Sequence, residues 1–285
     1  MNPSVVISGS NGFVGRNVGL FLQNNGFQTI SLVRKGKAVN FGKVITTENL
    51  SEDTLASKIK GAGAFLHFIG QGRQTVESDY DTVNVSLAKN AVALCKKAKI
   101  KKIIYISGLG VDKNTTLGYF ISKYKAEQEI IYSGLDYTIF RASYIIGDND
   151  PLSENLQQQI KKREMIIPGS GNYRFQPIFV YDVADIMIQS MTGKKFSNKI
   201  IDLVGPEIVS YGTFVKKFLQ GRKIKIKKIN FERVYHDALH NKGPFGVDDL
   251  SIMAGDYIGD HKKLASLSKM RFTRYDEVLQ SRSLS

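Results

Sequence analysis

The feature that most constrains this chain is a glycine-rich segment, Gly9-Ser10-Asn11-Gly12-Phe13-Val14-Gly15, between two different hydrophobic patterns. The apolar run over 4–8 before it predicts a short strand, and apolar residues at helical spacing follow it. A glycine turn at such a junction lets the backbone approach a pyrophosphate, and the helix offers unpaired N–H groups and its positive end. The GxxGxxG spacing therefore predicts a dinucleotide site; the alternative is a tight turn without a ligand.

Strands and helices alternate along the first 141 residues. We predict strands over 4–8, 28–33, 43–46, 64–69, 102–107 and 137–141. We predict helices after the glycine segment, over 55–59, over 119–132, and over a long stretch whose inner face is Val83, Leu87, Ala91, Leu94 and Ala98. This alternation predicts an α/β fold with a parallel sheet covered on both faces.

The second predicted strand ends in Leu32-Val33-Arg34-Lys35. A site that prefers NAD usually offers an acid here to the ribose 2′-hydroxyl. Two cations and no acid instead predict a 2′-phosphate, hence NADP(H), with NAD(H) as the other possibility. Arg34 is the expected main contact, with Lys35 or Arg16 in support. The alternative is that these cations contact no cofactor, because basic residues are common throughout this chain.

A second candidate site combines Ser107, at the end of a predicted strand, with Tyr119 and Lys123 on the following helix. Residues four apart share one helical face, so the phenol and the ammonium converge. A nearby cation favours the phenolate, which predicts a lowered pKa for Tyr119 and proton exchange near neutral pH. Ser107 is expected to hydrogen-bond the same substrate oxygen.

Composition limits the class of protein. No apolar run reaches the length of a membrane-spanning helix, no secretory signal is visible, and the one cysteine, Cys95, cannot form an internal disulfide. We therefore expect a cytoplasmic location. The 40 Lys and Arg residues outnumber the 26 Asp and Glu residues, giving a net charge of +14 that favours anionic partners.

Three further signals receive less weight. The two histidines of His236-Asp237-Ala238-Leu239-His240 are expected to be solvated surface residues, and no metal is expected. Residues 222–229 alternate cations with isoleucines, which predicts a two-sided strand. That strand is either a solvated face or a docking stripe for an anionic protein or membrane surface. Because no aromatic residue interleaves with its lysines, nucleic acid is not an expected partner. His67 and Cys95 are expected to be core residues.

Seven segments of the chain occur in the same order as the matching segments of a known protein family. The chain resembles an atypical or extended short-chain dehydrogenase/reductase (SDR) of the NAD(P)-binding Rossmann superfamily. It is most similar to the branch that contains the SDR-like accessory subunit of respiratory complex I and NAD-dependent epimerase/dehydratase-like proteins. The matching segments are SGSNGFVGR (8–16), FLHFIG (65–70), KKIIYISGLG (101–110), YFISKYKAEQEI (119–130), TIFRASYIIGDND (138–150), PGSGNYRFQPIFVYDVADI (168–186) and DLVGPE (202–207).

The resemblance implies a doubly wound parallel Rossmann sheet, with a small C-terminal lobe that closes over the substrate. The expected core is 1–146; the expected lobe is 147–285, interleaved with a return to the core at about 177–204. It implies Tyr119 as acid/base and Lys123 as its activator and nicotinamide-ribose ligand. The residues expected to bind cofactor are Gly9, Ser10, Asn11, Gly12, Phe13, Val14, Gly15, Arg16, Arg34, Lys35, Phe68, Ile69, Gly70 and Lys123.

Two functions are compatible with these expectations. The first is an NADP(H)-binding oxidoreductase or epimerase/dehydratase-like enzyme, in which hydride passes between nicotinamide and a carbonyl or carbinol carbon of a small-molecule substrate. The second is a non-catalytic NADPH-binding accessory, assembly or sensor protein, in which the dinucleotide stabilises the fold.

Overall fold

A computed structural model describes residues 3–281. Its strands are β1 Val5–Ser8, β2 Thr29–Val33, β3 Lys43–Thr46, β4 Ala64–His67, β5 Lys102–Gly108, β6 Asp136–Ala142, β7 Ile145–Ile146, β8 Glu164–Pro168, β9 Arg174–Phe175, β10 Ile178–Phe179, β11 Lys199–Leu203, β12 Val209–Ser210 and β13 Lys225–Ile229. Its α-helices are α1 Phe13–Asn24, α2 Leu55–Lys58, α3 Leu87–Lys97, α4 Gly118–Ile131, α5 Pro151–Lys161, α6 Val180–Thr192, α7 Tyr211–Leu219, α8 Phe231–Leu239, α9 Val247–Met253, α10 His261–Ser268 and α11 Tyr275–Ser281.

Seven parallel strands form the central sheet, in the order β11-β6-β5-β4-β1-β2-β3. The inner strands are apolar and buried because helices cover both faces, as parallel sheets require. The chain runs outward from β1 to β3 and then restarts at β4 on the other side of β1. This reversal opens a crevice beyond the carboxyl ends of β1 and β4, where open α/β sheets bind ligands. The predicted α/β class and doubly wound Rossmann sheet are confirmed.

Two apolar clusters cover the sheet. One contains residues of α2, α3 and α4 with the β5 side chains Ile103 and Tyr105. The other contains residues of α1, α6 and α10 with Ile104 of β5. Alternate residues of one strand thus supply opposite layers. The face of α4 that carries Tyr119 and Lys123 is therefore fixed against the sheet.

A third cluster forms a smaller body from α5, α7, α8, α9, α11 and the short strands β8, β9 and β12. Between its segments the chain returns to the sheet, where β11 pairs with β6 and α6 packs on α1. The boundary expected at 146/147 stays a prediction. None of the helices between residues 3 and 281 has both the length and the apolar character needed to cross a bilayer.

One local prediction is wrong. The stretch predicted as one regular helix begins with a π-helical turn, Asp81–Ser86, which inserts an extra residue per turn. The turn shifts the inward face by one position, so Asn84 is buried and Val83 is not. Along 222–229 the predicted strand forms as β13, where Ile226 is 37% exposed and Lys227 pairs with Glu164. Docking of this strand to an anionic surface stays a prediction.

Candidate active site

The turn after β1 requires glycine at both of its ends. Gly9 has a φ of +76°, and a Cβ there would lie 2.8 Å from the carbonyl carbon of Phe68. A Cβ on Gly15 would overlap the carbonyl oxygen of Gly9. The glycines therefore let the turn, the start of α1 and the end of β4 pack backbone against backbone, which no residue with a side chain permits.

The backbone N–H groups at the start of α1 are available to a ligand. Gly12 N donates to Gly9 O at 3.0 Å, which closes the turn, and Arg16 N donates to Gly12 O at 2.9 Å. Within the described chain, the N–H groups of Phe13, Val14 and Gly15 donate to no protein atom. Three free donors at the positive end of a helix fit the diphosphate of a dinucleotide.

The side chain of Ser10 has a structural role. Ser10 is fully buried, and its Oγ donates to Leu32 O at 3.1 Å, which ties the turn to β2. Only its backbone remains for a ligand, while the neighbouring Asn11 is half-buried in the turn. The predicted cofactor role of both residues stays a prediction.

Three exposed cations lie at the end of β2 and at the start of α1. Arg34 and Lys35 directly follow β2, and Arg16 lies in the first turn of α1. None of the three forms an ion pair with a carboxylate in residues 3–281. Their charges are free for an anionic group such as a phosphate.

The segment 68–70 links the glycine turn to the Tyr/Lys pair. Phe68 N donates to Ser8 O at 3.0 Å, and Phe68 and Ile69 are half-buried. A Cβ on Gly70 would lie 2.7 Å from Lys123 Nζ. Gly70 therefore lets the backbone pass directly over the ammonium group.

Lys123 is buried beneath that backbone, on the second turn of α4. Its Nζ donates to Tyr105 Oη at 3.1 Å and to Ile106 O at 3.3 Å, and it lies 4.9 Å from the centre of the Tyr105 ring. Burial lowers the pKa of Lys123 to about 8, and the nearby Glu127 carboxylate opposes this shift.

Tyr119 lies one helical turn before Lys123, as the spacing predicted, with its ring centre 6.0 Å from Lys123 Nζ. The predicted direction of its pKa shift is wrong. Burial raises the pKa of Tyr119 to about 12, and Tyr257 adds to the rise. Desolvation of the phenolate outweighs the cation, whose hydrogen bonds go to Tyr105 and Ile106 instead.

Ser107 is 3% exposed, and its Oγ has no hydrogen-bond partner in the described chain. It stands two residues after Tyr105 on β5, so strand alternation puts it on the same face, toward Lys123. An unpaired buried hydroxyl costs free energy unless a ligand satisfies it. The geometry is compatible with the role predicted for Ser107, which stays a prediction.

A cavity of about 360 Å³ adjoins Tyr119 between the sheet and the smaller body. Gly108 and Ala142, at the ends of β5 and β6, form its floor. A Cβ on Gly108 would lie 3.1 Å from Tyr119 Oη, so glycine leaves room for the phenol. Residues of α9 line the opposite wall, and the volume lies within the range of small-molecule sites, about 300–1,000 Å³.

Sequence reasoning missed Asn84. Its Nδ2 donates to Ser122 Oγ at 2.9 Å and to Gln71 O at 3.2 Å, and its Oδ1 accepts from Gln71 N at 2.9 Å. Asn84 thereby holds the segment after Gly70 against α4. No local signal points to it, because only the π-helical turn brings its side chain inward.

The histidines occupy the positions expected for them. His67 is buried, with Nδ1 2.8 Å from Ser8 Oγ and its ring stacked on Tyr105 at 5.6 Å. Burial, followed by the charge of Lys123, lowers the pKa of His67 to about 3, so the ring is neutral. His236 and His240 are exposed on α8. Residues 3–281 contain no group of three potential metal ligands.

Comparison with known proteins agrees with this geometry. A family profile described as NAD(P)H-binding matches residues 9–192. The mitochondrial NADH dehydrogenase [ubiquinone] 1 alpha subcomplex subunit 9 of Arabidopsis thaliana is 23% identical over 215 residues, covering 71% of this chain and 54% of the relative. The chain thus spans about half of that relative's length.

A putative UDP-glucose 4-epimerase of Methanocaldococcus jannaschii is 26% identical over 250 residues, covering 72% of this chain and 82% of the relative. Among solved structures, MoeE5 in complex with UDP-glucuronic acid and NAD superimposes with a TM-score of 0.77 at 16% identity. That superposition covers 97% of this chain and 96% of MoeE5. At this identity the likeness shows the fold.

Proposed function

The chain belongs to the NAD(P)H-binding family, with SDR-like relatives, and from that premise we propose that it is an NADP(H)-dependent oxidoreductase or epimerase/dehydratase-like enzyme. The observation that carries the proposal is the set of free N–H groups of Phe13, Val14 and Gly15 at the switch point of the sheet. We call the glycine turn of residues 9–15 and these three N–H groups the cradle. The cavity beside Tyr119 lies at the same edge of the sheet as the cradle, at the ends of β5 and β6.

The cations after β2 support a preference for NADP(H). Arg34 and Lys35 are exposed, lack carboxylate partners within residues 3–281, and stand where an NAD-specific site carries an acid. A guanidinium forms charge-assisted hydrogen bonds to a phosphate, and a ribose hydroxyl offers no such charge.

The residues around the cavity divide the proton chemistry among them. Tyr119 gives a proton to a substrate carbonyl oxygen, or takes one from a hydroxyl. The ammonium of Lys123 stabilises the phenolate that forms, and Ser107 orients the substrate oxygen. The nicotinamide, when bound, supplies or accepts hydride. Lys123 faces Gly70 on the same side, which suits its proposed contact with the cofactor ribose.

The cofactor assignment is tested with Arg34→Ala. We expect the Kd of NADPH to rise about tenfold and that of NADH to change less than about twofold, because one charge-assisted contact is lost. Arg271→Ala, at another exposed arginine, is the matched control and is expected to change neither. Equal losses for both dinucleotides would contradict the 2′-phosphate contact.

The catalytic assignment is tested with Tyr119→Phe. We expect turnover to fall at least about 100-fold while NADPH affinity is retained, since general acid–base catalysis contributes roughly that factor. Unchanged turnover of an accepted substrate would remove Tyr119 from the mechanism.

A second candidate function is a non-catalytic NADPH-binding accessory protein. The observation that favours it is the electrostatics around Tyr119. Burial raises the pKa of Tyr119 to about 12, and Lys123 donates its hydrogen bonds to Tyr105 and Ile106 and not to Tyr119. Neither prepares Tyr119 to ionise near neutral pH. If NADPH raises the Tm while no carbonyl or carbinol compound is turned over, this second function is supported.

A further inference from the structure

The cavity beside Tyr119 is built for a ligand with an apolar body. Its larger walls are aliphatic and aromatic side chains from the residue after β5, from α4 and α5, and from the segment around α9: Leu109, Phe120, Leu152, Phe245, Ile252 and Met253. Its volume of about 360 Å³ lies within the range of small-molecule sites, about 300–1,000 Å³. Burial of a ligand here removes mostly apolar surface from water.

The cavity has no free cation to receive a phosphate. Arg73 is the one Lys or Arg among its lining residues in the described chain, and its guanidinium pairs with the carboxylate of Asp249, which also lines the cavity. The backbone of Gln74 donates to Asp248 at 2.9 Å, so the same loop is held to α9 a second time. A diphosphate in this cavity would be desolvated without a compensating charge.

Three phenol groups line the cavity, together with the polar side chains of Ser143 and Asn155 and the Arg73–Asp249 ion pair. The hydroxyls of Tyr119, Tyr144 and Tyr257 have no hydrogen-bond partner in the described chain. Tyr119 and Tyr257 both pack on Phe120, with ring centres 5.1 and 5.4 Å from its ring, and Tyr144 lines the same cavity. Burial raises all three pKa values, so the phenols are neutral donors at neutral pH.

We propose that this cavity binds a neutral, apolar carbonyl or alcohol compound without a phosphate group, whose oxygen meets the three phenols. The inference rests on the proposed NADP(H)-dependent function and narrows its substrate class. It separates this chain from relatives and fold neighbours whose names include UDP-sugars. The apolar walls hold the body of the substrate, and Tyr119 is the phenol that exchanges the proton.

Ligand binding in the presence of saturating NADPH tests the proposal without requiring turnover. The probes are 2-decanone, 2-decanol and UDP-glucose, and the measurement is the Tm. We expect 2-decanone and 2-decanol to raise the Tm above that with NADPH alone, and UDP-glucose to leave it unchanged. A rise with UDP-glucose, or no rise with either ten-carbon compound, would overturn the proposal.

Two pairs of variants test the walls and the phenols. Ile252→Lys puts an ammonium into the cavity, so we expect about tenfold weaker binding of 2-decanone; Ile208→Lys, at a site 51% exposed, is expected to have no effect. Tyr257→Phe is expected to weaken 2-decanol severalfold, whereas Tyr132→Phe, at a site 82% exposed, is not.

Unchanged affinity in Ile252→Lys or in Tyr257→Phe, or equal losses in the matched controls, would contradict the assignment. Different measurements would show that the proposed function itself is wrong: absent NADPH binding, or unchanged turnover in Tyr119→Phe.

Discussion

Lys123 Nζ donates to Tyr105 Oη at 3.1 Å, and both side chains are buried where α4 packs on β5. Tyr105 also stacks on His67, whose Nδ1 lies 2.8 Å from Ser8 Oγ. A line of polar groups therefore runs from β1 through β4 and β5 to α4, directly below the ligand crevice. Lys123 is held from the sheet side as well as by its own helix.

Tyr105→Phe removes the hydroxyl and keeps the ring beneath the ammonium. Because a hydrogen bond to a charged buried group contributes more than a neutral one, we expect the free energy of unfolding to fall by about 1.5–3 kcal/mol at pH 7. Urea denaturation measures this loss. Tyr132→Phe on the protein surface is the control and should stay within about 0.5 kcal/mol of wild type. A Tyr105→Phe variant as stable as the control would show that the Lys123 contact contributes nothing.

The lowered pKa of Lys123 makes stability depend on pH in a defined window. Its pKa falls from 10.5 to about 8 on folding, so between these values the unfolded chain binds more protons than the folded chain. The free energy of unfolding therefore rises with pH across this window. Relative to Lys123→Met, wild type should gain about 2 kcal/mol between pH 7.5 and 9.5. A difference that is constant with pH would contradict the shift.

Alanine substitutions at two glycines of the cradle should affect stability and NADPH binding to different extents. A Cβ on Gly15 overlaps backbone atoms of the turn, so we expect Gly15→Ala to lose about 2 kcal/mol or more of unfolding free energy and to lose NADPH binding. Gly12 is exposed, and its Cβ would lie 3.3 Å from Gly9 O. Gly12→Ala should therefore lose about 1 kcal/mol or less and yet weaken NADPH binding about tenfold or more. Denaturation and NADPH titration of both variants give the comparison, and retained NADPH affinity in Gly12→Ala would argue against the cradle.

The sequence was informative where structure depends on neighbouring residues. The turn at Gly9 to Gly15 was predictable because a strand, a glycine pattern and a helix follow one another within a few residues. The common face of Tyr119 and Lys123 followed from helical periodicity alone. Both are properties of local backbone geometry.

The remaining features depend on tertiary packing. Tyr144 and Tyr257 meet at one cavity although they are far apart in sequence, because α9 and the segment after it fold over the ends of β5 and β6. The pKa of Tyr119 was predicted in the wrong direction because desolvation depends on how many segments cover the phenol. Asn84 faces inward only because of a π-helical turn that periodicity does not reveal.

An ion pair between a buried carboxylate and a partly exposed guanidinium fixes α4 to the sheet one turn after Lys123. Glu127 is fully buried, and its carboxylate accepts from Arg141 Nε at 3.0 Å and from Nη2 at 2.7 Å, at the end of β6. Glu127→Gln removes the paired carboxylate from Arg141, whose side chain is 25% exposed and still feels Asp202 and Asp112, so we expect a loss of about 2 kcal/mol in the free energy of unfolding. The double variant Glu127→Gln/Arg141→Met removes both charges and should recover at least half of that loss. Urea denaturation of both variants and of Arg141→Met alone measures the coupling, and additive losses would show that the pair acts as two independent residues.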